Sequence, residues 1–295
     1  MVASIPPGLG EAYDACARLA RRHYENFPVA WLVPSSMRPH VAAVYAFART
    51  ADDVADEGQL PASERLRVLA EWRTRLLACA EGRPDPDGPP HDLIFRALGH
   101  SIRALDLPVA LLDDLLSAFE QDVTVHRYTT WAELLDYCRR SANPVGRLVL
   151  RIAGHRDDDL DRASDDVCTA LQLTNFWQDF ARDWAAGRLY LPRDEYVPLG
   201  AREDDLGRDL LTSEWRAAIG RAVAITRELF ADGRSVCDGV SGRLRLELRL
   251  TWLGGMTILD RLSASGFDPY RFRPTISRRD LPGLLWRAIV WTPLA

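Results

Sequence analysis

Two Asp-x-x-x-Asp pairs, Asp52 with Asp56 and Asp179 with Asp183, lie in stretches that leave the backbone little choice but a helix. Arg38 to Glu57 and Asp165 to Trp184 contain no glycine, and the only proline is Pro39 at the start of the first. Nothing therefore interrupts a helical run, and on a helix residues four apart share a face. The pattern extends upstream of each pair. Tyr45, Arg49, Asp52 and Asp56 form one stripe, spaced four, three and four; Gln172, Asn175, Asp179 and Asp183 form another, spaced three, four and four. At about 100° per residue, each set occupies a narrow arc.

Apolar residues border both arcs: Val44, Phe47, Ala48, Ala51 and Ala55 in the first, Leu173, Phe176, Trp177 and Phe180 in the second. Acids four apart repel one another, and carboxylates lodged among apolar side chains need cations or hydrogen-bond donors. One such pair in a chain with 42 acidic residues reads more readily as a solvated helix face than as a site. Two pairs, each with matched polar residues upstream, read as a site. Two stripes facing across a cavity would hold hard divalent cations, and Mg²⁺ takes carboxylates together with substrate phosphate oxygens.

The chain's 295 residues suit one large helical domain, residues 1–295, and its net charge of −5 gives no reason to expect nucleic acid. Five widely spread cysteines without Cys-x-x-Cys spacing point to a reducing, cytoplasmic compartment. The N-terminus has no basic start followed by an apolar stretch, so no signal peptide is expected. No apolar run approaches the ~20 residues of a spanning helix. Transient contact with a membrane surface, peripheral to the inner face, stays open. The apolar side of Leu281 to Trp291 is a candidate for it, with ordinary packing as the alternative.

Periodicity predicts helices over Glu11–Asn26, Pro39–Glu57, Pro61–Glu81, His91–Leu105, Pro108–Val125, Trp131–Gly154, Asp158–Ala186, Thr212–Val240, Arg243–Ser265 and Leu281–Val290. Asn143-Pro144 should break or kink the sixth. Thr212-Ser213-Glu214 and Ser63-Glu64 offer helix caps. No strand pattern of length appears. The fold class is all-α, one bundle around a central cavity.

Three ordered segments resemble a known family: Tyr45-Ala-Phe-Ala-Arg-Thr-Ala-Asp-Asp53, Gln172-Leu-Thr-Asn-Phe-Trp-Gln-Asp179 and Gly187-Arg-Leu-Tyr-Leu-Pro192. In content and order they look like the squalene/phytoene synthases, which have the isoprenoid (terpenoid) synthase fold, and the similarity runs from about His23 to Arg287. Within that family, Glu25 to Ala30, Ser141 to Leu148 and Asn175 to Asp179 look like the branch of hopanoid biosynthesis that forms hydroxysqualene.

The resemblance implies presqualene diphosphate as substrate, or farnesyl diphosphate if the chain belongs to a condensing branch making presqualene diphosphate, squalene or phytoene. It implies two or three Mg²⁺ ions bridging the diphosphate, held by Asp52, Asp56, Asn175, Asp179 and Asp183. Arg49 would either hydrogen-bond phosphate or pair with a neighbouring aspartate. His23 and Asn26 stand where relatives bind phosphate, and Tyr45, Arg188 and Tyr190 belong to the matching motifs. Phe47, Phe176 and Trp177 would wall a cavity for a carbocation, though each also suits plain core packing. Capture of that cation by water calls for a polar group that positions it; Tyr137, Asn143 and Gln172 are the candidates. No NADPH is expected. Arg271 and Arg273 are further candidates to reach the diphosphate.

Overall fold

A computed structural model describes residues 6–23, 33–56, 60–83, 92–207 and 211–291. Among these the chain is all helical; its only extended pairing is one isolated bridge between Arg127 and Leu189. The chain divides into two compact units, one of Met1–Thr124 with Pro144–Asp161 and one of Val125–Asn143 with Arg162–Ala295.

The first unit contains α1 (Gly10–His23), α2 (Arg38–Asp56), α3 (Ala62–Ala80), α4 (Asp92–Leu105) and α5 (Val109–Asp122). Its core is built on an aromatic triangle. Phe47 lies 6.0 Å from both Trp72 and Phe95, and those two rings meet edge to face at 4.7 Å, a geometry that aligns ring edge with ring face. Leu69, Leu76, Leu98 and Leu112, on α3, α4 and α5, are fully buried in the same unit. A second, polar knot ties α1, α2 and α4 together. The Tyr13 hydroxyl lies 2.7 Å from His100 Nδ1 and 2.9 Å from Ser101 Oγ, and His40 Nδ1 lies 3.0 Å from the same Ser101. The two imidazoles stack at 6.2 Å.

The second unit contains α6 (Trp131–Ser141), α9 (Phe180–Ala185), α10 (Arg193–Tyr196), α11 (Glu203–Leu206), α12 (Ser213–Asp232), α13 (Val236–Gly239), α14 (Gly242–Ala264) and α15 (Leu281–Val290). Two helices cross the division of the chain: α7 (Asn143–Ile152) and α8 (Asp158–Gln178).

The helix breaks beside Asn143-Pro144, as expected: α6 and α7 are separate, with Ala142 between them at φ −113°, ψ −48°. Three boundaries differ from expectation. The helix expected through Ala186 divides at Asp179. The helix expected through Val240 ends at Asp232. There Gly233 packs so close to α8 that a Cβ would stand 2.6 Å from the Ala163 carbonyl oxygen and 2.8 Å from Val167. Ser63-Glu64 does not cap α3, whose cap position is Pro61, with no side-chain hydrogen bond. Thr212 does cap α12, accepting from the Trp215 N–H. An unanticipated capping box, Thr130 with Glu133, starts α6.

Candidate active site

The second stripe survives the division of its helix. Asp179 sits between α8 and α9 at φ −98°, ψ 11°, in the bridge region where many active-site residues are found. Its N–H donates to the Asn175 carbonyl at 2.8 Å, and its own carbonyl accepts from the Asp183 N–H at 2.9 Å. The helical course therefore continues through the bend, and Asn175, Asp179 and Asp183 stay on one face. They line a pocket of about 320 Å³ together with Phe176, Arg182, Arg188 and Tyr190.

The turn after α9 completes the pocket. Gly187, at φ +81°, adopts the left-handed conformation that glycine takes without strain. Its N–H donates to the Trp184 carbonyl at 2.9 Å, and the Arg188 N–H donates to the Asp183 carbonyl at 2.7 Å. This pair of bonds is a Schellman C-cap, and it folds Arg188 back over its own helix, 3.6 Å from the Asp183 carboxylate. The turn is held from outside by Arg127, which donates to the Gly187 carbonyl at 2.6 Å, and by Leu189, whose N–H donates to the His126 carbonyl. Tyr190 then lies flat on Phe176, centroids 3.7 Å apart and planes 7° apart. Tyr128 lies 5.9 Å from Tyr190, and Tyr137 lies 6.2 Å from both rings of the stack. One side of the pocket is thus an aromatic wall, the other a set of alternating acids and arginines.

Charge is balanced locally. Arg273 grips both oxygens of Asp179, and Arg182 approaches the same carboxylate at 3.6 Å. Hydrogen bonding to Asp179 raises the pKa of the Arg273 guanidinium. Arg182 escaped the sequence reading, although its place three residues after Asp179 puts it on the same arc. Arg271, by contrast, is exposed and turns to Asp268 at 3.7 Å.

The first stripe is organised around Arg49, which donates to Asp52 at 3.0 Å and forms an ion pair with Asp53 at 2.5 Å. Of its two expected roles, the structure displays the pairing with neighbouring aspartates. Tyr45 is half-buried, and burial is the main reason its hydroxyl pKa is raised. Asp56 ends α2 and His23 ends α1, but their side chains lie outside the described residues, as does all of Asn26.

The remaining expected residues fall outside the pocket lining. Phe47 belongs to the aromatic triangle, and Trp177 is fully buried, its Nε1–H donating to Thr226 at 2.8 Å and its ring edge to face with Trp131. Gln172 is half-buried on α8. Asn143 is buried, and its side-chain carbonyl accepts from the Thr169 hydroxyl at 2.9 Å.

Among the described residues, no three His, Cys, Asp or Glu side chains are gathered as metal ligands. The pocket presents instead two carboxylates and an amide. These are hard oxygen donors of the kind Mg²⁺ accepts, with further positions left to water and substrate phosphate. The donor set fits the expected ion.

The squalene/phytoene synthase family model matches residues 20–280. The hydroxysqualene synthase of Zymomonas mobilis is 40% identical over 209 residues, 70% of this chain and 67% of that protein. That of Sinorhizobium fredii is 34% identical over 280 residues, 93% of this chain and 89% of the relative. Among solved structures, the squalene synthase HpnC from Alicyclobacillus acidocaldarius superposes with a TM-score of 0.83 at 39% identity, covering 90% of this chain and 98% of that one.

Proposed function

Because the chain belongs to the squalene/phytoene synthase family, an enzyme family acting on prenyl diphosphates, we propose that it converts presqualene diphosphate and water to hydroxysqualene and diphosphate. The observation that carries this reading is the pocket in which Asp179, Asp183 and Asn175 alternate with Arg182 and Arg188 beside the Phe176–Tyr190 stack. Identity of 34–40% to three hydroxysqualene synthases supports the branch.

In this reading Asp52 and Asp56 of the first stripe, and Asn175, Asp179 and Asp183 of the second, bind Mg²⁺, which would supply Lewis-acid stabilisation to the departing diphosphate. Arg182, Arg188 and Arg273 hold diphosphate oxygens through their planar forks. The stacked rings of Phe176 and Tyr190 keep water from the cation and face it with their negative quadrupoles. Tyr137, Asn143 and Gln172 place the one water that captures it. Asn143 is suited to this because its bond with Thr169 holds its amide in one orientation. The reaction needs no NADPH. Its C30 product partitions into lipid, so the enzyme works in transient contact with a membrane surface, from the cytoplasmic side.

A second reading is head-to-head condensation of two allylic diphosphates. It is favoured by the similarity to the Alicyclobacillus squalene synthase and to the phytoene synthases that match at 25% identity over 92% of the chain. Incubation with Mg²⁺ and presqualene diphosphate, without NADPH, followed by mass spectrometry of the lipid, separates the two. Hydroxysqualene, lost with EDTA and in Asp179→Ala, is the expected result. No turnover of presqualene diphosphate, with consumption of farnesyl diphosphate in a second tube, overturns the hydroxysqualene assignment in favour of condensation.

A further inference from the structure

The ten-residue helix α15 turns only Leu284 and Ala288 into the protein. At about 100° per residue, Leu281, Leu285, Ile289, Pro282, Trp286 and Val290 follow one another around half of its circumference. All six are exposed, Trp286 at 68% and Ile289 at 59%. This apolar half-cylinder is firmly presented. The Arg249 guanidinium donates to the Ala288 carbonyl, Trp291 donates to Asp238 at 3.2 Å, and Arg234 and Arg249 cover the Trp291 ring at 4.3 and 5.0 Å.

We infer that α15 docks on an anionic lipid surface, lying in the headgroup layer with Trp286 and Ile289 inserted. The inference deepens the membrane contact of the proposed function and rests on that reading. Charge selects the occupant. Arg278 and Arg279, in the turn that leads into α15, and Arg287 on the helix itself are exposed. The only acid between residues 269 and 291, Asp280, is bound to Arg261 and Ser277. A chain of net charge −5 thus offers a positive rim at this one helix, the pattern of an interfacial helix. Size argues against a second copy of the chain. A helix about 15 Å long and 10 Å across exposes roughly 250 Å² on one side, well below the ~800 Å² per partner of a stable interface. The helix is also far short of the ~20 residues that span a bilayer, so it lies on the surface.

The test is co-sedimentation of the full chain with vesicles of phosphatidylglycerol and phosphatidylcholine, against vesicles of phosphatidylcholine alone, without substrate. The protein should pellet with the anionic vesicles and be released by high salt. Arg278→Gln and Arg279→Gln should each weaken partition about fivefold, from about 1 kcal/mol per arginine at an anionic surface. Trp286→Asp combined with Ile289→Asp should abolish pelleting with an unchanged unfolding midpoint and unchanged turnover in detergent. Wild-type protein left in the supernatant, or pelleting retained in the double variant, overturns the inference. So does a wild-type dimer in sedimentation velocity that the variant loses. Turnover in detergent is read separately: its absence sinks the proposed function, whereas vesicle binding that fails with turnover intact sinks only the docking surface.

Discussion

Arg273 and Asp179, 94 residues apart in sequence, form a two-point ion pair, with Nε to Oδ1 at 2.5 Å and Nη2 to Oδ2 at 3.0 Å. Each Asp179 oxygen already accepts from Arg273, so a Mg²⁺ ion bound there, as proposed, would compete with the guanidinium, and the segment after α14 reaches the pocket through this pair.

Arg273→Gln should tighten Mg²⁺ binding in the absence of substrate, measured by titration calorimetry, because the competitor is gone. The same variant should lose about ten- to a hundredfold in kcat/KM, the worth of a hydrogen bond to a charged group. Its unfolding midpoint should barely move, since both partners are about 30% exposed and such pairs contribute little to stability. Unchanged metal affinity would show that the pair does not gate the site.

Gly187→Ala tests the turn that carries Arg188. A side chain at φ +81° costs about 1–2 kcal/mol and shifts the Schellman cap. The unfolding midpoint should fall by a few degrees. KM for the diphosphate substrate should rise as Arg188 leaves Asp183, while Arg188→Lys, which keeps charge but not the fork, should raise KM with no change in midpoint.

Phe47→Leu and Phe176→Leu should separate core from pocket. Phe47 is wholly buried in the aromatic triangle, so its loss should lower stability by about 1–3 kcal/mol in chemical denaturation. Phe176 faces the pocket and Tyr190. Its replacement should chiefly lower kcat or diversify the lipid products seen by mass spectrometry.

The stacked His40 and His100 predict an acid-labile first unit. Burial lowers both pKa values from the ordinary 6.5; the neighbouring imidazole adds to the effect on His40, and Arg103 to that on His100. Burial also raises the Tyr13 hydroxyl between them to about 12, so it supplies no anion to stabilise the imidazolium. A histidine whose pKa falls on folding is protonated first in the unfolded chain. Stability is then full above about pH 6.5 and declines as pH drops below it, by at most about 1.4 kcal/mol per pH unit for each ring. Thermal melts between pH 7.5 and 5.5 should show this slope, and His100→Gln, which keeps an acceptor for Tyr13, should flatten it. Equal slopes in both proteins would assign the acid sensitivity elsewhere.

Much of the site was legible because helix periodicity is a local property. The spacing of Asn175, Asp179 and Asp183 needs only 3.6 residues per turn to place them together, and Gly187 after the helix announces a C-cap. Depth was not legible. Phe47, Trp177 and Phe176 all border polar stripes, yet the first two are sealed in cores and only Phe176 reaches the pocket. Periodicity gives the direction of a side chain but not the thickness of what packs over it. The break beside Ala142 was announced by Asn143-Pro144, but the one at Asp179 was hidden, since Asp179 is not a helix breaker by propensity.

By itself the sequence determined the helical class, the two acidic stripes and the motif Gly187 to Pro192, all of which depend on residues within a few turns of one another. Only the tertiary structure decided which cation holds Asp179, which rings form the pocket wall, and which side of α15 remains uncovered. Those depend on segments brought together from up to 94 residues away, and no local spacing records the partner a folded chain will supply.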